Sequence, residues 1–244
     1  MSLTLFEVDG NYTFDGATVI KVSPDESKIA NLAGLHSYVD MSRLSADGTG
    51  VSAAGGHNVS IGGVGSVGPQ SAFNGQPVMH LPNDMSVINV LDVLTTDFTV
   101  MMPVMVTQHS RGFFNSSGND YNATSSDAFV SVELEHSGGK TTRKFAVGFP
   151  LNAPKIFMLS FDSASISVGV ASDSVQTPVV NVYPGYFDAA GFDLLSGRYG
   201  GSVSWQGYFG DVMVFNRALH LQENEATRLE AMQIMSDRFG IALT

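Results

Sequence analysis

Two glutamates near the middle of the chain have the spacing that sugar-cleaving chemistry uses. Glu133 and Glu135 lie two residues apart in the alternating run VELEH, so on a strand they share one face. Retaining glycoside hydrolysis needs two carboxyl groups about 5–5.5 Å apart. The run leads into a Gly-Gly pair, however, which predicts a β-hairpin whose second strand carries Lys140, Arg143 and Lys144. Cross-strand charge pairing therefore explains the two glutamates without catalysis.

A second candidate is the oxygen-rich segment FNSSGNDYNATSSD, which spans residues 114–127. Its candidate ligand-binding residues are Asn115, Asn119, Asp120, Tyr121, Asn122 and Asp127. Calcium takes about six to eight oxygen ligands of this kind, and Asp120, Tyr121 and Asn122 could instead contact a glycan. The order of these residues fits no defined calcium loop, and Asn, Ser and Gly are ordinary turn residues. A plain exposed loop is therefore the favoured interpretation.

Other patterns give no site. The spacing Gly63-x-Gly65-x-x-Gly68 matches the dinucleotide fingerprint, but Pro69 follows it where the pyrophosphate would need a helix N-terminus. The histidines are His36, His57, His80, His109, His136 and His220. Because their spacing fits neither a zinc site nor a Ser-His-Asp set, we predict surface or capping histidines. No catalytic residue and no metal ligand is predicted.

The composition limits the partners that the chain is expected to have. The 244 residues carry a net charge of −11 and no cysteine, so disulfides and cysteine-ligated zinc are excluded. This acidity repels nucleic acid and anionic membrane surfaces, and neither is an expected partner. The first residues lack the basic and apolar regions of a signal peptide, and no run is long enough to span a bilayer. We expect a soluble protein made in the cytoplasm.

The elements that position these residues are mostly strands. Short alternating runs at intervals of about 8–12 residues, separated by polar turns, indicate an antiparallel β-sandwich. In the apolar run DFTVMMPVMVTQ, Pro103 predicts an edge position or a bulge because proline cannot donate to the ladder. One long helical pattern follows at 221–239, with Leu229 and Met232 on its apolar face and Gly240 at its end. We predict one all-β sandwich domain with one C-terminal α-helix.

The last strand and the turn after it carry the most informative pattern. Its signature residues are Trp205, Gly207, Asp211, Phe215, Asn216, Arg217 and Leu219. The pattern resembles the closing signature of concanavalin A-like (laminin-G-like) sandwich domains, and SYVDMS, FNGQPVMHLP and DFTVMM resemble earlier elements of that family. The resemblance implies a concanavalin A-like jelly roll over residues 35–244. Residues 1–34 would form an N-terminal arm, in which Ser23 and Glu26 resemble the capping box of a short helix.

Domains of this form resemble solitary domains of bacterial and bacteriophage structural proteins. The resemblance implies a non-enzymatic virion structural protein, either a capsid-decoration or a tail-associated lectin-like domain. Such a domain would be made in the host cytoplasm, form a homo-oligomer and contact other virion proteins. The alternative is a carbohydrate-binding adhesion module at a bacterial cell surface, for which calcium is the one cofactor considered. A glycoside hydrolase ranks third, because glucanases of this family place three acids on one strand and Ser137 stands in place of the third.

Overall fold

The computed structural model describes residues 24–46, 50–51, 53, 58–62, 65–82, 87–90, 97–108, 114–116, 121–125, 130–136, 139–145, 150–162, 165–170, 179–180, 192–194 and 206–243. The strands, in chain order, are β1 (Leu35–Val39), β2 (Gly50–Val51), β3 (Asn58–Gly62), β4 (Ser66–Pro69), β5 (Pro77–Leu81), β6 (Val87–Val90), β7 (Phe98–Gln108), β8 (Phe114–Ser116), β9 (Tyr121–Ser125), β10 (Val130–His136), β11 (Gly139–Phe145), β12 (Lys155–Phe161), β13 (Ser165–Val170), β14 (Val179–Val180), β15 (Phe192–Leu194), β16 (Gln206–Phe209) and β17 (Val212–Phe215). The helices are α1 (Pro24–Ala30) and α2 (Glu225–Phe239), and short 3-10 turns lie at Met41–Arg43, Ser71–Phe73 and Gln222–Asn224.

The strands form two antiparallel sheets. The first sheet has the order β14-β13-β12-β7-β16-β5-β4, and β17 pairs with β7 and with β1. The second sheet has the order β11-β10-β9-β8-β15-β6-β3-β2. Neighbouring strands run antiparallel in both sheets. The predicted antiparallel β-sandwich with one C-terminal α-helix is confirmed.

The first sheet is buried on both faces. Along β7 every residue from Phe98 to Val106 is buried, which an antiparallel strand shows only when both of its sides are covered. Met101 and Met105 belong to the apolar cluster that α1 and α2 complete, so their face of the sheet lies against the helices. Val100 and Met102 alternate onto the opposite face. The helices therefore cover one face of the first sheet and leave the other to the sandwich interior.

Pro103 lies in the central strand of the first sheet, so the predicted edge position is wrong. The alternative prediction, a bulge, agrees with the register, because Met102 and Pro103 lie opposite three residues, 210–212. The strand β7 pairs with β12 on one side and with β16 and β17 on the other, and Ile156 is opposite Pro103. The Pro103 carbonyl accepts a hydrogen bond from the Gly210 N–H at 2.8 Å. In an antiparallel ladder the N–H and C=O of one residue face the same neighbour. The missing N–H thus faces the junction where β16 ends and β17 begins, and costs no bond to β12.

The C-terminal helix lies on the sheet through a face that differs from the predicted one. A 3-10 turn occupies 222–224, and the α-helix begins at Glu225 and ends at Gly240 in the left-handed conformation expected of it. Met232 and Phe239 are buried as expected, but Leu229 is 38% exposed while its neighbour Arg228 is 7% exposed. One residue is a rotation of about 100° around an α-helix. The buried face of α2 therefore includes Arg228 in place of Leu229.

The N-terminal helix α1 packs against α2. Ile29 and Leu32 are 2% and 4% exposed and belong to the same apolar cluster as Met235 and Phe239. Residues 24–34, which fall within the predicted arm, thus contribute to the core. Residues 1–23 lie outside the described part of the chain, and the division into an arm and a sandwich domain stays a prediction.

Candidate functional site

A continuous row of polar residues crosses the second sheet at right angles to its strands. Each residue of this polar row is the direct partner of the next in the strand register. In sheet order its members are Ser60, Asn89, Asp193, Asn115, Asn122, Glu133 and Thr142. Directly paired residues of antiparallel strands share one face of a sheet. The register therefore assembles one polar face from four consecutive strands, β8 to β11, and three that are distant from them in sequence, β3, β6 and β15.

The adjacent row, one residue further along each strand, lies on the opposite face and is apolar except at the edge strand β11. Its members are Ile61, Ile88, Leu194, Phe114, Ala123, Val132 and Arg143. Successive residues of a strand alternate between the two faces, and a sandwich buries the apolar face of each sheet. This alternation predicts that the polar row belongs to the face that a sandwich leaves outside.

The register brings together two of the predicted ligand-binding residues, Asn115 and Asn122, as a direct cross-strand pair. Tyr121 is paired with Leu134, so it lies on the apolar face. The segment 114–127 was expected to be a loop, but its ends form β8 and β9. Thr and Tyr favour strands, and the neighbouring strands provide the backbone partners that a sequence cannot show. Asn119, Asp120, Asp127 and the signature residue Trp205 lie outside the described residues.

The two glutamates of VELEH take unequal positions. Glu133 lies in the polar row between Asn122 and Thr142, and Glu135 is paired with Lys140 near the hairpin end. The other acid of the row, Asp193, is three strands away from Glu133, which corresponds to about 14 Å at the usual strand spacing. Carboxyl pairs that cleave glycosidic bonds lie about 5–9.5 Å apart. Asp193 and Glu133 are therefore too far apart to act as such a pair.

The closing signature anchors the last strand to the first sheet. Phe215 and Leu219 are fully buried, and Gly207 pairs with β5 and β7 within the sheet. The Asn216 N–H donates a hydrogen bond of 3.0 Å to the backbone carbonyl of Gly34 before β1. Arg217 is exposed, and its aliphatic part lies over the same turn. These residues have structural positions, on the sheet that carries no polar row.

The remaining signature residue, Asp211, is the centre of a buried charge cluster. Its Oδ2 accepts a hydrogen bond of 2.5 Å from the Tyr38 hydroxyl and is 2.9 Å from Arg238 Nε, and its Oδ1 accepts from the Met41 N–H. Arg238 also reaches Asp40 Oδ1 at 3.0 Å. The side chains of Asp40 and Asp211 are 3% and 2% exposed. One guanidinium at the end of α2 thus pairs with two buried carboxyl groups, that of Asp40 just after β1 and that of Asp211 just before β17.

Burial decides the protonation of this cluster. Desolvation raises the pKa of Asp211 to about 7, against the opposing effects of Arg238 and of the hydrogen bonds from Tyr38 and Met41. Burial, together with the Asp211 charge, raises the pKa of Tyr38 above its ordinary value, so the phenol stays protonated and donates. The cluster joins β1 and the residue after it to the start of β17 and the end of α2.

A second buried network joins the C-terminal turn to the first sheet. Ser160 Oγ is 2.8 Å from His220 Nδ1 and 2.8 Å from Thr99 Oγ1, and His220 Nε2 is 3.4 Å from Asp162 Oδ2. The Thr99 hydroxyl donates to the Arg217 carbonyl at 2.8 Å. Sequence spacing missed this set, because its members come from three separate elements. The predicted surface or capping position of His220 is wrong.

The types Ser, His and Asp are those of a hydrolytic triad, but the network lacks the access that catalysis needs. Ser160 and Thr99 are fully buried, and a nucleophile must reach its substrate. Burial lowers the pKa of His220 more than Asp162 raises it, so the imidazole is favoured in its neutral form. The network therefore holds the turn between β17 and α2 against the first sheet, through bonds to Arg217, Leu219 and His220.

Within the described ranges, no group of three or more His, Cys, Asp or Glu could hold a metal ion. Calcium requires about six to eight oxygens, whereas the described part of the candidate calcium segment contributes Asn115, Asn122 and Thr124 to the polar face. Two amides and one hydroxyl do not make a calcium site by themselves. In the same described ranges, no helix is long and apolar enough to cross a membrane.

No protein-family model matches the chain, and no curated protein matches its sequence. Solved structures share the fold. Domain 4 of AbnA, a GH43 extracellular arabinanase from Geobacillus stearothermophilus solved with arabinotriose, has a TM-score of 0.61 at 15% identity, covering 80% of this chain and 98% of that domain. The receptor-binding domain of botulinum neurotoxin type G has a TM-score of 0.61 at 12% identity over 82% of this chain, and the chain spans 52% of it.

A structure of botulinum neurotoxin type C, whose cell entry depends on interaction with two ganglioside molecules, has a TM-score of 0.59 at 12% identity over 83% of this chain. The chain spans 52% of that structure as well. At these identities the likeness shows a shared jelly-roll-like β-sandwich. This likeness supports the sandwich fold that the closing signature predicted.

Proposed function

We propose that this chain is a non-enzymatic glycan-binding module and that the polar row is its contact surface. The observation that carries the proposal is the row itself: seven polar residues in direct register on one face, backed by an apolar row on the other. A solvated sheet face needs polar residues, but alternating charges such as Lys and Glu serve that need equally well. The three amides in the row, two of them adjacent at its centre, point to a ligand with many hydrogen-bonding groups.

The chemistry of the row suits carbohydrate hydroxyls. An amide offers both donors and acceptors, and a carboxylate offers acceptors only. Sugar hydroxyls donate and accept, so Asn89, Asn115 and Asn122 can match them in either direction, while Asp193 and Glu133 accept. The shared fold with an arabinanase domain solved with arabinotriose, and with toxin receptor-binding domains, supports this class of ligand.

The absence of catalysis is part of the proposal. Glu133 has an amide and a hydroxyl residue as its direct neighbours in the register, and Asp193 is about 14 Å away by strand spacing. The carboxyl nearest to Glu133 along its own strand, Glu135, is paired with Lys140. Incubation with a panel of oligosaccharides should therefore give no cleavage product by chromatography. A product that disappears in Glu133→Gln would establish a hydrolase instead.

Display on a virion or on a bacterial surface remains a prediction, which rests on the resemblance of the sequence to structural proteins of phages and bacteria. A glycan-binding face suits both places, because a particle and a cell each meet polysaccharide. Mass spectrometry of purified particles from the producing host would distinguish them. Recovery of the protein with particles supports the virion prediction, and recovery with the cell envelope supports an adhesion module.

The proposed function is tested by a glycan array followed by titration calorimetry on the best binder. Asn115→Ala and Asn122→Ala should each weaken binding roughly tenfold, the effect expected from one lost hydrogen bond to a ligand. The matched control is Gln233→Ala, which removes an exposed amide from α2, on the first sheet's helix layer. Parallel runs with calcium and with chelator show whether a metal contributes. Saturable binding that the two row variants leave unchanged would contradict the proposed site.

A further inference from the structure

We propose that Asp193 and Glu133 restrict the polar row to uncharged glycan chains, an inference that rests on the proposed function. The two acids lie in the same row, separated by Asn115 and Asn122 on adjacent strands. Any chain that contacts the central amides therefore lies between two carboxylates. A ligand that carries carboxylates of its own would meet a negative charge at each side.

The charges around the row do not offset these acids. In the described strands of this face, the cationic neighbours Lys140 and Lys144 belong to β11, the last strand of the sheet. Lys140 is the direct partner of Glu135, so one of the two cations faces an acid of its own. The row itself contains no Lys or Arg. The net charge of −11 adds a long-range repulsion of anions.

The length of the row indicates the shape of the ligand. Seven strands at the usual spacing give a row about 29 Å long, although the twist of the sheet curves it. A single sugar would contact only one or two of its positions. An extended chain lying across the strands would contact the acids and the three amides together. We therefore expect affinity to rise with chain length, in contrast to a pocket that binds one terminal sugar.

The test compares neutral and acidic chains of equal length. Linear neutral pentose and hexose oligosaccharides of two, four and six units, and oligogalacturonates of the same lengths, are titrated against the full chain. We expect at least one neutral series to bind, with affinity increasing from two to six units, and oligogalacturonates to bind at least tenfold more weakly. In the double variant Asp193→Asn, Glu133→Gln this preference should fall to threefold or less.

Asp237→Asn is the control, because it removes one negative charge from an exposed position of α2. It should leave the preference for neutral chains unchanged, and circular dichroism confirms that each variant is folded. Equal binding of oligogalacturonates by the unaltered protein would overturn the inference and leave the proposed function standing. A preference that persists in the double variant would equally overturn the role of Asp193 and Glu133. If no oligosaccharide in the array or the titrations binds, the proposed function itself fails.

Discussion

Replacing Arg238 with methionine should destabilise the fold far more than the same replacement at Arg43. Both arginines lie near Asp40, at 3.0 Å for Arg238 and 3.7 Å for Arg43. Arg238 has a side chain that is 15% exposed and also pairs with Asp211, whereas the side chain of Arg43 is 49% exposed and pairs with Glu26. Methionine keeps most of the buried stem, so the comparison isolates the charge.

The magnitude follows from the burial of the two carboxylates. Removing one partner of a buried ion pair costs about 3–5 kcal/mol, because a charge is left without compensation. The variant can escape by keeping Asp211 protonated. An unfolded aspartate ionises near pH 4, so the cost of holding that proton falls by ~1.36 kcal/mol per pH unit as the pH is lowered from 7 to 5. The loss at Arg43, an exposed pair, should stay within about 1 kcal/mol.

Urea unfolding of the unaltered protein and both variants at pH 5, 6 and 7 measures these losses, with the free energy of unfolding obtained by linear extrapolation. We expect the deficit of Arg238→Met to shrink as the pH falls, and the small deficit of Arg43→Met to change little. If Arg238→Met loses no more stability than Arg43→Met, the guanidinium does not compensate the two acids. A large deficit that is independent of pH would assign the loss to packing.

The remaining predictions concern the same buried charge cluster and the helix α2 beside it. Asp211→Asn should flatten the dependence of stability on pH. The pKa of Asp211 is raised to about 7, so the folded state keeps a proton that the unfolded state releases from about pH 4 upward. The stability due to this group is therefore lost as the pH rises towards 7. Urea midpoints at pH 4.5, 6 and 8 check this sign. Gly210→Ala should lose about 1–3 kcal/mol, because its Cβ would lie 2.6 Å from Phe239 Cε1, whereas Gly68→Ala meets nothing within 4 Å and should not. Phe239→Ala removes an edge-to-face contact with Phe73, whose ring centroid is 6.1 Å away. It should lower the free energy of unfolding by about 3–5 kcal/mol in the same assay.

The polar row shows how far sequence reasoning reaches into the site. Asn115 and Asn122 stood out because oxygen-rich residues cluster around them in the chain. Asn89 and Asp193 did not, since each is a single polar residue within a short apolar strand, VINV or FDL. That interruption is the only local sign of their position. Their membership of one surface depends on which strand lies beside which, and this is a property of the sheet order.

Residues that alternate along one strand, or end one helix, could be recognised from the sequence because their causes are local. The alternating runs, the closing signature and Gly240 predicted the sandwich and its last helix. Contacts between distant segments had no local cause. The pairing of Asp211 with Arg238 and the burial of His220 against Ser160 depend on how the C-terminal segment packs on the first sheet, and the polar row depends on the strand order of the second sheet. Local patterning determined the elements of this protein, and the strand register decided which side chains meet, because register is fixed by burial of whole sheet faces.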